Sequence, residues 1–139
     1  MKTGCFKQVN DGQINGYISI SLYPSKNDFV NYEYKSLAPN WKLFENLKKK
    51  KITENQFIDL YKDQLFSLNA NTVYEDLKSL VACFEPIIMT GVSKKKFCHR
   101  HIVAEWLENE LGIVIEEYKI GMVTRSNGYM KKNTNPTLF

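Results

Sequence analysis

Residues 84–118, "FEPIIMTGVSKKKFCHRHIVAEWLENELGIVIEEY", constrain the fold of this chain more than any other stretch. "FEPIIMTG" (84–91) is a short apolar run bounded by Pro86 and Gly91, the composition of a buried strand. "VSKKKF" follows as a loop. Residues 99–111 carry Ile102, Val103, Trp106, Leu107 and Leu111 at helical spacing, and Gly112 is placed to cap the end. "IVIEEY" then returns to strand composition. Strand, loop, helix, strand is a βαβ unit, so at least part of the sheet is parallel. The expected fold class is α/β, a single three-layer domain with a mainly parallel sheet and several helices. It is expected over residues 1–117, with 118–139 as a basic carboxyl-terminal tail or an extra turn or strand packed on it.

The preceding residues fit that scheme. "GYISISLYPS" (16–25) alternates, is rich in β-formers, and reads as a strand ending at Pro24. "TGCFKQV" (3–9) is a weaker strand candidate, with a loop over 10–16 between the two. Three helical patterns follow. One starts near Asn40 and places Trp41, Phe44 and Leu47 on one face. A second opens with a capping box of Thr53 and Gln56 and carries the stripe Phe57, Tyr61, Leu65, Leu68. The third repeats the device with Thr72 and Glu75 and buries Val73, Leu77, Leu80 and Phe84, with Cys83 on the same stripe as core. Lys48–Lys51 are read as a solvated helix end whose charge suits the helix dipole. In the tail, "RSNGY" is a turn candidate.

Composition removes several classes of function. No apolar run approaches the ~18–20 residues of a membrane span, and Lys2 is not followed by the apolar stretch of a signal peptide. A cytoplasmic location is the expectation, with no membrane partner. Three cysteines, widely spaced and without a CxxC pair, do not make a disulfide framework. With only two histidines beside them, a four-ligand zinc site is not expected, and neither metal nor cofactor is assigned. The net charge of +4 lies wholly in residues 118–139, which hold Lys119, Arg125, Lys131 and Lys132 and no acid. A neutral body argues against nucleic acid as a partner except through that tail, whose plainest reading is a solvated end.

In an open parallel sheet, ligands bind beyond the carboxyl ends of the strands. That rule gathers Gly4, Cys5 and Phe6; Leu22, Tyr23 and Ser25; and Thr90 and Gly91. The next helix adds Cys98, His99 and Arg100 at its N-terminus, where backbone N–H groups favour an anion. Arg100 offers a bidentate grip on phosphate or carboxylate, His99 further hydrogen bonds, and Gly91 close backbone approach. Phe6, Tyr23, Tyr34 and Trp41 are candidates to stack on a base. Each has a plainer alternative: Cys98 packed under the loop, His99 bonded to a carbonyl, Arg100 paired with a surface carboxylate such as Glu105 or one from another element. His101, out of phase with His99, is expected behind the site or at the surface.

The stretch "EYKSLAPNWKLFENLKKKKITENQFIDLYKDQLFSL" and the block "FCHRHIVAEWL" resemble the four-hundred-eighty-eighth of the families called domain of unknown function. The resemblance covers about residues 17–117 and is most specific over Tyr34–Trp41 and Cys98–Leu107. It implies a Rossmann-like fold and a Cys-His-Arg hallmark, but no established reaction. Members often carry a second cysteine and a glutamate where Thr90 and Val92 stand, and an arginine near the place of Leu22. The absence of those partners favours a binding module. The expectation is capture of a nucleotide or nucleotide-derived anion, with family context suggesting sequestration of a signalling nucleotide in a phage or defence setting. The alternatives are a hydrolase or transferase acting on such a nucleotide, with Cys98 as nucleophile or His99 as acid/base, and an adaptor using the basic tail. A homo-oligomer is compatible with all three.

Overall fold

The structure is a computed structural model that describes residues 1–9, 15–91 and 96–132. Most of the expected loop at 10–16, Val92 with the loop residues 93–95, and tail residues 133–139 lie outside the described residues. Five strands form one parallel sheet: β1 (Lys2–Cys5), β2 (Tyr17–Ser19), β3 (Tyr32–Glu33), β4 (Ile87–Thr90) and β5 (Glu116–Glu117), in the order β3-β2-β4-β1-β5. Four helices accompany them: α1 (Trp41–Lys48), α2 (Glu54–Phe66), α3 (Ala70–Leu80) and α4 (His99–Leu111). The α/β class read from the βαβ unit and the Rossmann-like architecture that the family resemblance implies are therefore present. No helix of the described residues is long and apolar enough to cross a membrane.

The layers follow from strand alternation. Ile18 and Ile88 point to the helical side and join Leu43, Phe57, Tyr61, Val73, Leu77, Ile102, Val103 and Leu107 in the main core. Tyr17, Ile87 and Met89 point the other way, into a smaller cluster with Val9 and Tyr118 that Phe6 and Val30 help cover. The third layer is thus thin and built from irregular chain. Thr3 and Cys5 pair in register with Ile88 and Thr90, which places all four on the helical side.

Several local expectations hold for the physical reasons given. α2 has its capping box, with Thr53 Oγ1 accepting from Gln56 N at 3.1 Å and Thr53 N donating to Gln56 Oε1 at 2.8 Å. α4 spans His99–Leu111 and stops at Gly112, whose φ of 67° is left-handed. Trp106 is 7% exposed on its buried face. Trp106→Ala should cost about 3–5 kcal/mol, as truncation of a large buried aromatic does; a urea melt indistinguishable from wild type would contradict that placement.

Other expectations are corrected. Asn69 caps α3 instead of Thr72, accepting from Thr72 N at 3.0 Å, so that helix begins earlier. It also ends at Leu80, and Ala82 turns away with φ 54°, which leaves Cys83 and Phe84 exposed instead of in the core. On α1 the buried residue is Leu43, while Trp41 is 60% exposed. The ladder of β2 stops at Ser19, short of Pro24, and the two-residue β3 gave no readable pattern. His101 is fully buried.

Of the tail, residues 123–132 form an antiparallel hairpin, β6 (Val123–Ser126) and β7 (Tyr129–Lys132). Its turn is Asn127-Gly128, both with positive φ (54° and 84°), as the "NG" pair favours. Arg125 is not a solvated charge there: its side chain is 1% exposed and points into the domain.

Candidate functional site: a cysteine behind a cleft at the carboxyl edge

The chain leaves β2 toward β3 on one side and leaves β4 toward β5 on the other, so a crevice opens at their carboxyl ends. A cleft of about 620 Å³ lies there. Phe6 and Lys7 follow β1, residues 21–27 follow β2, Thr90 and Gly91 end the β4 segment, and His99 opens α4; Phe44 of α1 completes the lining. Tyr23 and Phe44 meet edge to face at 5.9 Å and form an aromatic wall. Asn27 ties the loop after β2 to the segment after β1, donating from Nδ2 to the carbonyls of Phe6 and Val9 at 3.2 and 3.1 Å. Lys35 Nζ fixes the start of the same loop on the carbonyls of Ser21 and Leu22 at 3.2 and 2.9 Å.

The structure brings together Phe6, Leu22, Tyr23, Ser25, Thr90, Gly91 and His99 of the sequence-derived set. Cys5, Cys98 and Arg100 are buried behind that lining. Tyr34 and Trp41 are elsewhere. Tyr34 donates to Asp76 Oδ2 at 2.7 Å beside α3, and Trp41 borders a separate groove with Pro39 and Leu60.

Cys98 is the N-cap residue of α4, with extended backbone at φ −152°, ψ 138°. Its Sγ is 3.0 Å from Thr90 Oγ1, and Arg100 Nη1 donates to the same oxygen at 2.9 Å. A guanidinium can only donate, so the Thr90 hydroxyl accepts from Arg100; toward the sulfur it donates to a thiolate or accepts from a thiol. Arg100 is itself held by Glu117: Nη2 donates to Oε2 at 2.9 Å and Nε to Oε1 at 3.4 Å. Both residues are 0% exposed. The fork that the sequence offers to a ligand is therefore aimed inward, at a carboxylate and a threonine.

His99 lies at the cleft wall. Its Nε2 is 2.8 Å from the carbonyl oxygen of Ile20, which can only accept, so Nε2 carries a hydrogen and Nδ1 is left for proton exchange. Tyr61 stacks edge to face on that ring at 5.7 Å and donates its hydroxyl to the carbonyl of Leu37. Burial, then the negative charge of Cys98, pushes the Tyr61 phenol well up. The third group that orients the imidazole is a main-chain carbonyl, which explains why no side chain in the sequence announced it.

Burial alone would push the Cys98 thiol up. Hydrogen bonding and charge from His99, the charge of Arg100 and the Thr90 hydrogen bond outweigh it and bring the pKa to about 7. The folded value lies below the ordinary 9.0, so between about 7 and 9 the unfolded chain binds more protons. Stability from this group is present at high pH and is lost as pH falls through about 7. Urea melts should show wild type gaining on Cys98→Ser as pH is raised across that window. A gap that stays constant would return the thiol to its ordinary value.

Behind this pair the polar network continues. Thr3 Oγ1 donates to Glu117 Oε1 at 2.6 Å and accepts from Arg125 Nη2 at 2.5 Å. Arg125 also donates from Nε to His101 Nδ1 at 3.2 Å and from Nη1 to the carbonyl of Ile115 at 2.5 Å. Because Nδ1 accepts, His101 carries its hydrogen on Nε2, which has no protein partner among the described residues. Burial, then the charges of Arg100, Arg125 and His99, holds His101 down at about 2, so it is neutral. Lys7, Lys26, Thr3, Glu117 and Arg125 were not singled out as site residues from the sequence; the last three come from strands whose pairing the sequence does not print. Among the described residues, no three His, Cys, Asp or Glu side chains gather as a metal site would.

The family model described as the Active DUF488-N3 subclade matches residues 19–111, which run from the end of β2 to the end of α4. The chain belongs to the DUF488 family. The hallmark Cys98-His99-Arg100 lies inside the matched segment, whereas β1, Glu117 and Arg125 lie outside it. No curated protein and no solved structure matches this DUF488 member at a significant level.

Proposed function

We propose that this DUF488 member binds a nucleotide or nucleotide-derived small molecule in the cleft and acts on it through Cys98, as a hydrolase or transferase. The observation that carries the reading is the convergence of Thr90, His99, Arg100 and a helix N-terminus on one sulfur directly behind the cleft lining. A cysteine buried for packing alone has its thiol pushed up and stays inert; this one is pushed down. The family description "Active" agrees with a reacting site. Aromatic walls at Phe6, Tyr23 and Phe44 suit a base, and Lys7 and Lys26 supply the positive charge that Arg100 does not.

In this reading His99 Nδ1 takes the Cys98 proton, and the thiolate forms a bond to an electrophilic carbon or phosphorus of the bound molecule. The leaving group departs with the bonding electron pair and takes a proton from His99 Nδ1. Water or an acceptor hydroxyl then gives its proton to Nδ1, bonds to the same centre and releases the sulfur as thiolate.

A second reading is capture without turnover. It is favoured by the burial of Cys98, only 2% exposed and absent from the residues that line the cleft. One experiment separates the two: mass spectrometry of small molecules released from the purified protein, followed by incubation of the identified compound with fresh protein. Conversion supports the enzyme, and a compound recovered unchanged supports capture. Recovery of no nucleotide-class molecule, and no conversion across a panel of nucleotides, would remove both.

A further inference from the structure

The hallmark triplet does not complete its own surroundings. The support behind it comes from outside the matched residues 19–111: Thr3 from β1, Glu117 from β5, and Arg125 and Gly128 from the hairpin. Gly128 touches Cys98 directly, its carbonyl accepting the Cys98 N–H at 2.8 Å. A Cβ at Gly128 would fall 2.3 Å from the Phe97 ring, so the turn is seated tightly on the residue preceding the cysteine. Arg125 Nη2 lies 3.8 Å from Glu117 Oε1, and Arg125 Nη1 lies 3.9 Å from Glu108 Oε1 at the rim. Glu117 is thus shared by two guanidiniums, one of which faces Thr90 and Cys98.

We propose that the carboxyl-terminal extension is positioning machinery for Cys98: Glu117 aims Arg100 at Thr90, and Arg125 draws on the charge of Glu117 so that Arg100 keeps a positive field for the sulfur. The inference rests on the reading of Cys98 as the reacting group. The other groups facing Cys98 among the described residues are His99 on α4, Tyr61 on α2, and Cys5 beside Thr90 on β1, and none of them is altered by the test.

The test is a ligand-free titration of thiolate ultraviolet absorbance, taken as the difference between each protein and its Cys98→Ser counterpart. Arg125→Gln should raise the Cys98 midpoint by about one pH unit, since the opposing charge of Glu117 is then felt in full through Arg100. Glu117→Gln should lower it, because both guanidiniums lose their counter-ion. Arg125→Lys keeps the charge and should leave the midpoint near wild type even where the melting temperature drops. Opposite movements support the proposal. Midpoints that stay put, or move together while the variants are folded, overturn it. If Arg125→Gln does not fold, Glu117→Gln decides: a lowered midpoint with Arg125→Lys near wild type supports the proposal, and an unmoved or raised one overturns it. Unmoved midpoints with intact turnover would remove this inference alone. Shifted midpoints in a protein that converts nothing would remove the catalytic reading alone.

Discussion

Arg100→Ala is expected to destabilise the protein by about 3–5 kcal/mol, the usual result of removing one partner from a buried ion pair. The size comes from what is left behind. Glu117 would keep the Thr3 hydroxyl at 2.6 Å and the more distant Arg125, but would lose both guanidinium hydrogen bonds at a site with no solvent access. Thr90 would lose its donor as well. The double variant Arg100→Leu with Glu117→Leu should recover part of the loss, because no carboxylate then remains buried without its partner. Equilibrium urea unfolding of the three proteins measures both effects. A single variant as stable as wild type would show that Glu117 does not depend on Arg100.

An inward Arg100 departs from the ligand grip that the sequence favoured and takes its partner from another element, buried where a surface one was expected. A helix N-terminus with an adjacent arginine is a sound anion site when the arginine faces outward. Its direction here is decided by Glu117, a residue on a strand seventeen positions away along the chain. In sequence, "IVIEEY" shows two neighbouring glutamates and nothing to say that one is 0% exposed. Registers of this kind, Thr3 opposite Glu117 and Cys5 opposite Thr90, arise from non-local pairing and leave no periodic trace.

What was legible is what local physics dictates. The βαβ unit, the capping box at Thr53, the glycine cap at Gly112 and the turn at Asn127-Gly128 each follow from a few adjacent residues. The grouping of Phe6, Tyr23, Ser25, Thr90, Gly91 and His99 at one edge followed from one topological rule, and all six line the cleft there. Tyr34 and Trp41 were joined to them on aromatic character alone, and the paths of β3 and α1 carry them away.

Cys98→Ser should abolish turnover while leaving capture of the cleft ligand largely intact. A serine hydroxyl is a far weaker nucleophile at neutral pH, and the surrounding charges that ionise a thiol near 7 do not ionise an alcohol. The loss in kcat should exceed the effect of His99→Ala, which removes proton transfer worth roughly 10²–10⁴-fold. Neither change alters the aromatic wall of Tyr23 and Phe44 or the lysines at the cleft, so calorimetric affinity should shift little in Cys98→Ser. Single-turnover kinetics with the compound released from the protein would separate the two quantities. Turnover retained at the wild-type rate in Cys98→Ser would assign the chemistry to another residue.

Cys98 must ionise near neutral pH to serve as the reacting group. The difference in thiolate absorbance between wild type and Cys98→Ser, followed as a function of pH, measures that ionisation without any ligand. A midpoint near 7 is the predicted result. A midpoint at or above the ordinary thiol value of 9.0 would contradict it, and Cys98 would then be a packed cysteine behind a binding cleft.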